Sequence, residues 1–247
     1  MEIRFMSYNI QHGIDYLRQR ELLQKGQGDL EAIDLPLMAE AIRRAGADIV
    51  GLNEIRGRGS TPYYTNQAEQ LAALLGYHCY FAQAITFPEG PYGNAILSRF
   101  PLRAAQTIPI PDPAVKDEDA YYETRCVLRA RFAQAGGFTV LVSHFGLAKA
   151  EARSAVETVL GLVRQEQGPV ILMGDFNLEP DSPILAPLMG EMEDTAKLFP
   201  RPLLSFPSDQ PQTKIDYILV KSAQALEADI PPAVASDHRP HTALVRL

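Results

Sequence analysis

An apolar run, Val170-Ile171-Leu172-Met173, ends in Gly174-Asp175-Phe176-Asn177. A carboxylate and an amide thus stand two residues apart where a buried strand runs out. The two-residue period of a strand would point both one way while Phe176 anchors the opposite face. A carboxylate so placed can take a proton from water. Asp and Asn also favour turns, so an Asx turn is the plainer reading. The same kind of ending recurs, however. Asn9 closes an apolar stretch over 3–10, Glu54 one over 48–55, and His144 follows Val142-Ser143. Asp216 in Lys214-Ile215-Asp216-Tyr217 and the pair Asp237-His238 add more of the same chemistry.

In open α/β sheets ligands bind outside the carboxyl ends of the strands. If these ends are neighbours, the site is rich in oxygen donors and holds imidazoles but no thiolate. Hard oxygen ligands suit Mg²⁺, with Mn²⁺ or Ca²⁺ as substitutes. Zinc sites show His or Cys at short spacing, such as His-Glu-x-x-His, and none is present. Gly-x-x-x-x-Gly-Lys-Ser/Thr, Gly-x-Gly-x-x-Gly and Gly-x-Ser-x-Gly are also missing. Nucleotide-driven, dinucleotide-linked and serine-hydrolase chemistry therefore lack their usual signals.

The elements that must position these residues follow from periodicity. Leu35, Met38, Ile42 and Ala45 keep helical spacing, with Gly46 as C-cap. A second helix is predicted over 67–75, stopped by Gly76. The clearest helix spans 148–167, where Ala152, Ala155, Val156, Val159, Leu160 and Val163 form one stripe. Short strands broken by Gly and Pro are predicted over 77–84, 94–98 and 102–108. A hairpin is predicted over 124–132 and 138–145 around Gly136-Gly137. Residues 14–31 read as a long loop with at most one helical turn near 17–23, a candidate pocket rim or a solvated insertion. Residues 109–120 read as a loop, and 179–212 as a Pro-rich section with weak helical pieces near 184–189. Strands over 213–220 and 241–247 close the chain, with a loop over 233–240. The mixture predicts one α/β domain over 1–247 with more than one sheet surface.

The 247 residues carry a net charge of −7, no Trp and no basic run. Proteins that hold long nucleic acid usually show a basic footprint, so a small substrate is favoured over duplex DNA. No apolar run reaches the roughly 18 residues of a membrane span. The first residues enter a strand pattern at once, which predicts a cytoplasmic protein without a signal peptide. Cys79 and Cys126 sit in apolar runs and read as reduced core thiols. Nothing marks an obligate protein partner.

The motifs Ser7-Tyr8-Asn9-Ile10, Leu52-Asn53-Glu54, Tyr92-Gly93-Asn94-Ala95-Ile96-Leu97-Ser98, Ser143-His144-Phe145, Gly174-Asp175-Phe176-Asn177, Lys214-Ile215-Asp216-Tyr217 and Ser236-Asp237-His238-Arg239-Pro240 span nearly the whole chain. In type and order they resemble those of the endonuclease/exonuclease/phosphatase superfamily. The resemblance implies a four-layer α/β/β/α sandwich, two packed mixed sheets flanked by helices, and metal-dependent phosphoester hydrolysis. It implies Glu54 as main metal ligand, with Asn9 beside it and Asp237 near the metal. Asp175 would orient or deprotonate the attacking water, helped by Asn177. His238, held by Asp216, would contact the scissile phosphate, and His144 would be a second phosphate-side histidine. Arg125 falls where some members place a phosphate-contacting arginine.

Other residues leave alternatives open. Tyr92 and Asn94 line the pocket, or Gly93-Asn94 makes a turn. Arg56 and Arg58 hold a substrate phosphate or lie in a solvated loop. Tyr63 and Tyr64 form a rim or pack. His12 is read as a surface residue, and His78 and His241 as structural. The expected activity is a Mg²⁺-dependent phosphodiesterase on a small or lipid-derived substrate, by metal-assisted in-line attack of water. A nuclease of the abasic-site type is the alternative, and a non-catalytic binding module the third reading.

Overall fold

The computed structural model describes residues 1–116, 120–199 and 202–247. Strands β1 (Glu2–Asn9), β2 (Ile49–Arg56), β3 (His78–Phe87), β4 (Gly90–Ser98), β5 (Ala104–Pro109), β6 (Cys126–Phe132), β7 (Phe138–Ser143), β8 (Val170–Asp175), β9 (Glu193–Asp194), β10 (Asp216–Lys221), β11 (Gln224–Asp229) and β12 (His241–Arg246) form two six-stranded sheets. Their orders are β11-β12-β1-β2-β4-β3 and β5-β6-β7-β8-β10-β9. Helices α1 (Tyr16–Gln24), α2 (Leu35–Ala45), α3 (Gln67–Leu75), α4 (Lys149–Gln165) and the short α5 (Ala186–Met189) complete the chain.

Alternation of side chains builds the layers. Ile3, Phe5, Ile49, Val140, Met173 and Ile218 face one another between the sheets. Met6, Tyr8, Val50 and Leu52 take the other face of the first sheet and pack on Met38 and Ile42 of α2 and Leu71 of α3. Leu141, Val170, Leu172 and Leu219 cover the other face of the second sheet against Val156, Val159 and Val163 of α4. The result is the expected four-layer sandwich. No described helix is long and apolar enough to cross a membrane.

β1 runs parallel to β2 across α2, and β7 parallel to β8 across α4. Each pair sends two strand ends to one rim. β10 runs antiparallel to β8, with Asp216 opposite Asp175, so it contributes its first residue to that rim.

Several expectations need correction. Residues 16–24 are helix α1, not loop. Asp15 caps it by accepting from the N–H groups of Leu17 and Arg18. Its apolar side is thin, Leu22 packing on Ile14 and Ala32, so the helical period was invisible. β3 and β4 form one long hairpin that includes Gly90, Pro91 and Gly93. Gly93 fits there because a Cβ would lie 2.1 Å from Ala82 O. β10 starts at Asp216 rather than at 213, and β11, a mostly exposed strand, was not foreseen. Cys79 and Cys126 are free thiols, as expected. The predicted segments over 109–120 and 179–212 lie partly outside the described residues, at 117–119 and 200–201.

Candidate active site

Three rings hold the rim of the second sheet. Phe145, Phe176 and Tyr217 stack in series, with centroids 4.3 and 4.7 Å apart and planes within 10°. All are fully buried toward α4. Each is the chain neighbour of a polar residue that turns the other way: His144, Asp175 with Asn177, and Asp216. Core packing thus positions the chemistry one residue away.

Asp175 is the centre of the cluster and is 1% exposed. Its Oδ1 accepts from the Asn177 N–H at 2.9 Å, and its Oδ2 from Asn9 Nδ2 at 3.1 Å. Its own N–H donates to Asn53 Oδ1 at 2.9 Å, and Asn53 Nδ2 donates to Asn94 Oδ1 at 2.8 Å. Asn177 has φ 51°, so the Asx turn and the polar cluster are one and the same feature. His238 Nε2 and His144 Nε2 each lie 3.6 Å from Asp175 Oδ2. Burial raises the Asp175 carboxyl to about 7, with the His238 charge opposing.

His238 Nδ1 bonds Asp216 Oδ2 at 2.8 Å, and the Phe206 ring tilts against the imidazole at 4.8 Å. Burial alone would lower this histidine, but Asp216 and Asp175 outweigh it and raise it to about 10. His144 goes the opposite way. Burial, then the charges of Arg125 and His238, push it well below the ordinary histidine range.

Glu54 belongs to the first sheet and reaches the cluster through a bulge. The β2–β4 register shifts between Leu52 and Ile55, and Glu54 has φ 60°. Left-handed backbone at a non-glycine residue is costly and gathers at functional sites. Gln11 (45°) and His12 (54°) share it. Asn9 Nδ2 donates to Glu54 Oε1 at 3.0 Å, so one amide ties Glu54 to Asp175 across the two sheets. Asp237 accepts from Ser236 Oγ at 3.0 Å; burial, and then the Glu54 charge, raise its carboxyl.

The structure brings Asn9, Glu54, His144, Asp175, Asn177, Asp216, Asp237 and His238 together. Tyr92 also lies there, beside Glu54, whose charge raises its hydroxyl after burial. His12 is not a surface residue. Its Nδ1 lies 3.7 Å from Glu54 Oε2, its ring meets Tyr92 at 5.5 Å, and Gln67 Nε2 donates to its carbonyl at 2.5 Å. Asn94 makes no turn. It sits inside β4, 2% exposed, spending its amide on Asn53 and on Cys126 O. Arg125 is 8% exposed and directs Nη1 to His144 Nδ1 and Glu123 Oε1, both at 3.1 Å, so it stands behind the histidine. Arg56 places its guanidinium 4.9 Å over the buried Tyr64 ring, while Arg58 and Tyr63 are exposed. His78 is exposed, and His241 is fully buried on Thr195 Oγ1 and Asp216 O, both outside the cluster as expected.

Asn53, Gln67 and Glu123 join the site without having been expected as site residues. Asn53 adjoins Glu54 and could have been found there. Gln67 gave no signal, since only the fold brings its amide to His12 and to the Arg56 N–H at 2.9 Å.

The donor set fits a divalent cation at Glu54. The Glu54 charge raises the neighbouring Asp237 carboxyl, and a cation would offset that; Asn9 lies beside them, its Oδ1 accepting from the Gln11 N–H at 3.1 Å. Asp175, Asp216 and His238 also bring ligand atoms within 4.8 Å of one another. There the Asp216–His238 ion pair already occupies one atom of each residue.

Comparison with known proteins agrees with this geometry. The sequence model of the Endonuclease/Exonuclease/phosphatase family matches residues 6–238. YbhP of Escherichia coli K12, an uncharacterized protein, is 29% identical over 231 residues, covering 86% of this chain and 88% of its own. Among solved structures, the mannosyl-6-phosphatase Bt3783 of Bacteroides thetaiotaomicron superposes with a TM-score of 0.77 at 19% identity, covering 99% of this chain and 100% of that one. The human Nocturnin catalytic domain with bound sulfate superposes at 0.69 and 19% identity, covering 99% and 93%.

Proposed function

The chain belongs to the endonuclease/exonuclease/phosphatase family, and from that premise we propose that it is a divalent-cation-dependent phosphodiesterase acting on a small substrate. One observation carries the reading. A single buried carboxylate oxygen, Asp175 Oδ2, is flanked at 3.6 Å by two imidazoles, one backed by a carboxylate and the other by a guanidinium. That is a place for a water, a phosphoryl group and a proton donor together.

Asp175, raised toward neutral pH, is matched to taking a proton from the attacking water. Asn177, fixed by its turn, helps place that water. His238, held charged by Asp216, donates from Nε2 to a phosphoryl oxygen, with its tautomer and orientation set. His144 and Asn177 border the opposite side of the carboxylate. A cation held by Glu54, Asp237 and Asn9 would supply positive charge against the phosphoester oxygens.

The small-substrate half rests on charge. Arg125 is paired with Glu123, Arg20 with Asp209, and Arg56 stacks on the Tyr64 face. A chain of charge −7 with no basic run in its sequence is poorly suited to a long polyanion. The sugar-phosphate named for the Bacteroides protein is likewise small. A lipid-derived ester remains within this class. Duplex DNA, including abasic sites, is the competing reading.

The deciding assay is hydrolysis of bis-p-nitrophenyl phosphate beside its monoester and a plasmid, with Mg²⁺, Mn²⁺ or EDTA. Diester turnover that EDTA stops and that leaves the plasmid intact is expected. Glu54→Gln should raise the Mg²⁺ needed by more than about tenfold. Efficient plasmid nicking would move the protein to the nuclease reading, and no turnover with any metal would favour a binding module.

A further inference from the structure

His144 has a hydrogen-bond donor on each ring nitrogen. Arg125 Nη1 lies 3.1 Å from Nδ1, and Asn177 Nδ2 lies 3.1 Å from Nε2. A neutral imidazole has one lone pair and one N–H, so it accepts from only one of them. The Asn177 amide does not resolve this by turning over, because its nitrogen also donates to Phe145 O at 3.0 Å.

The arginine is the stronger claimant. Guanidinium is permanently charged and can only donate, and a charge-assisted bond is roughly twice as strong as a neutral one. Arg125 is also fixed in place. Its Nη1 pairs with Glu123 Oε1 at 3.1 Å, both side chains being at most 10% exposed. The Glu123 N–H is in turn held by Glu151 Oε1 of α4 at 2.8 Å. Glu151 packs over Gly146, where a Cβ would lie 2.2 Å from its Oε2. A line of contacts thus runs from α4 to His144.

We infer that Arg125, anchored by Glu123, holds the lone pair of His144 on Nδ1 and so keeps its proton on Nε2, acting as a positioning residue and not as a phosphate contact. The charged groups facing the ring are Arg125, His238 and, 3.6 Å from Nε2, Asp175. Burial and the two cations keep the ring neutral, consistent with this tautomer. Nε2–H and the Asn177 amide N–H then face each other at 3.1 Å, and the nearest carboxylate oxygen, Asp175 Oδ2, is 3.6 Å from Nε2, beyond hydrogen-bond reach. An oxygen bearing negative charge satisfies both, and a phosphoester supplies one; this last step rests on the proposed function, whereas the tautomer does not.

The test is a two-bond ¹H–¹⁵N spectrum of the full-length, ¹⁵N-labelled protein, free of metal and substrate. His144 is assigned by its loss in His144→Gln, which is practical with 5 histidines. The wild type should show an Nε2–H tautomer, with Nδ1 at an acceptor shift. Replacing the ion pair together, Arg125→Met with Glu123→Gln, leaves no lone buried charge and should move the signals toward Nδ1–H. In the same double variant kcat/KM on bis-p-nitrophenyl phosphate should fall roughly 100-fold, the size expected for one lost oxygen-binding donor, and Arg125→Lys should recover most of it. An Nδ1–H or charged His144 in the wild type overturns the inference, as does an unchanged tautomer in a folded double variant. The spectrum needs no turnover, so an enzyme inactive on every phosphoester would leave the tautomer assignment intact, and a wrong tautomer would leave the hydrolase reading intact.

Discussion

His238 and His144 stand at equal distances from Asp175, yet one is pushed up to about 10 and the other well below the ordinary histidine range. The difference lies behind each ring. Asp216 faces Nδ1 of His238, and Arg125 faces Nδ1 of His144. Both rings are almost fully buried, so desolvation alone would make both neutral. The partner on Nδ1 decides which ring escapes that penalty. Nearly identical residues in one cleft are thereby given different work, proton donation by an imidazolium on one side and a fixed N–H on the other.

The largest expected effect removes what the two sides share. Asp175→Asn should lower kcat by about 10³-fold or more with little change in thermal unfolding. Activity within tenfold of wild type would mean that the two histidines have no common pivot. Next comes the charged side alone. Asp216→Asn takes away the anion behind His238 and should lower kcat roughly 100-fold, read as turnover of the small diester under saturating Mg²⁺. If the loss is no greater than for a conservative change elsewhere in the core, Asp216 is structural and the contrast between the rings is not functional.

A third prediction concerns stability. His241 lies behind Asp216, fully buried, and burial lowers it to about 4. Its folded value is below the unfolded one, near 6.5. Its contribution is therefore fully present above about pH 6.5 and is lost as pH falls from there toward 4. The shift corresponds to about 3 kcal/mol. Denaturant melts at pH 7 and pH 4.5 should show the loss in wild type, and a smaller one in His241→Gln. Equal losses in both would assign the acid sensitivity to other groups. The smallest effect is on the neutral side. Glu123→Gln removes the charge that anchors Arg125 while keeping the side chain's size, and should cost about tenfold in kcat/KM. A larger loss than for Asp216→Asn would reverse the ranking of the two sides.

Much of this cleft was legible from the chain. Asp175, Glu54 and His144 follow apolar runs that could only be strands, and strand ends collect on one rim. Helices α2, α3 and α4 were readable because wide apolar stripes bury them on a sheet. α1 was not, because its apolar side is narrow and its stability comes from the Asp15 cap and the packing of Leu22 on Ile14 and Ala32. His12 was misjudged, and the surroundings of Arg125 were unreadable, for a related reason. Residue type says that each can bear charge or bind an anion, but whether it does depends on partners 42 to 55 residues away or on a neighbour across a β-ladder, such as Glu54, Gln67 or His144.

The amino-acid sequence by itself determined the kind of chemistry: oxygen donors and imidazoles, spaced along apolar strands, in the order of one family. It did so because hydrophobic period and residue type are local properties. Tertiary structure alone decided the roles. It brought Asn9 between Glu54 and Asp175, set Asp216 opposite Asp175 through an antiparallel register, and placed an anion behind one histidine and a cation behind the other. Protonation state depends on burial and on charges a few ångströms away in space, and neither distance nor burial is written in spacing along the chain.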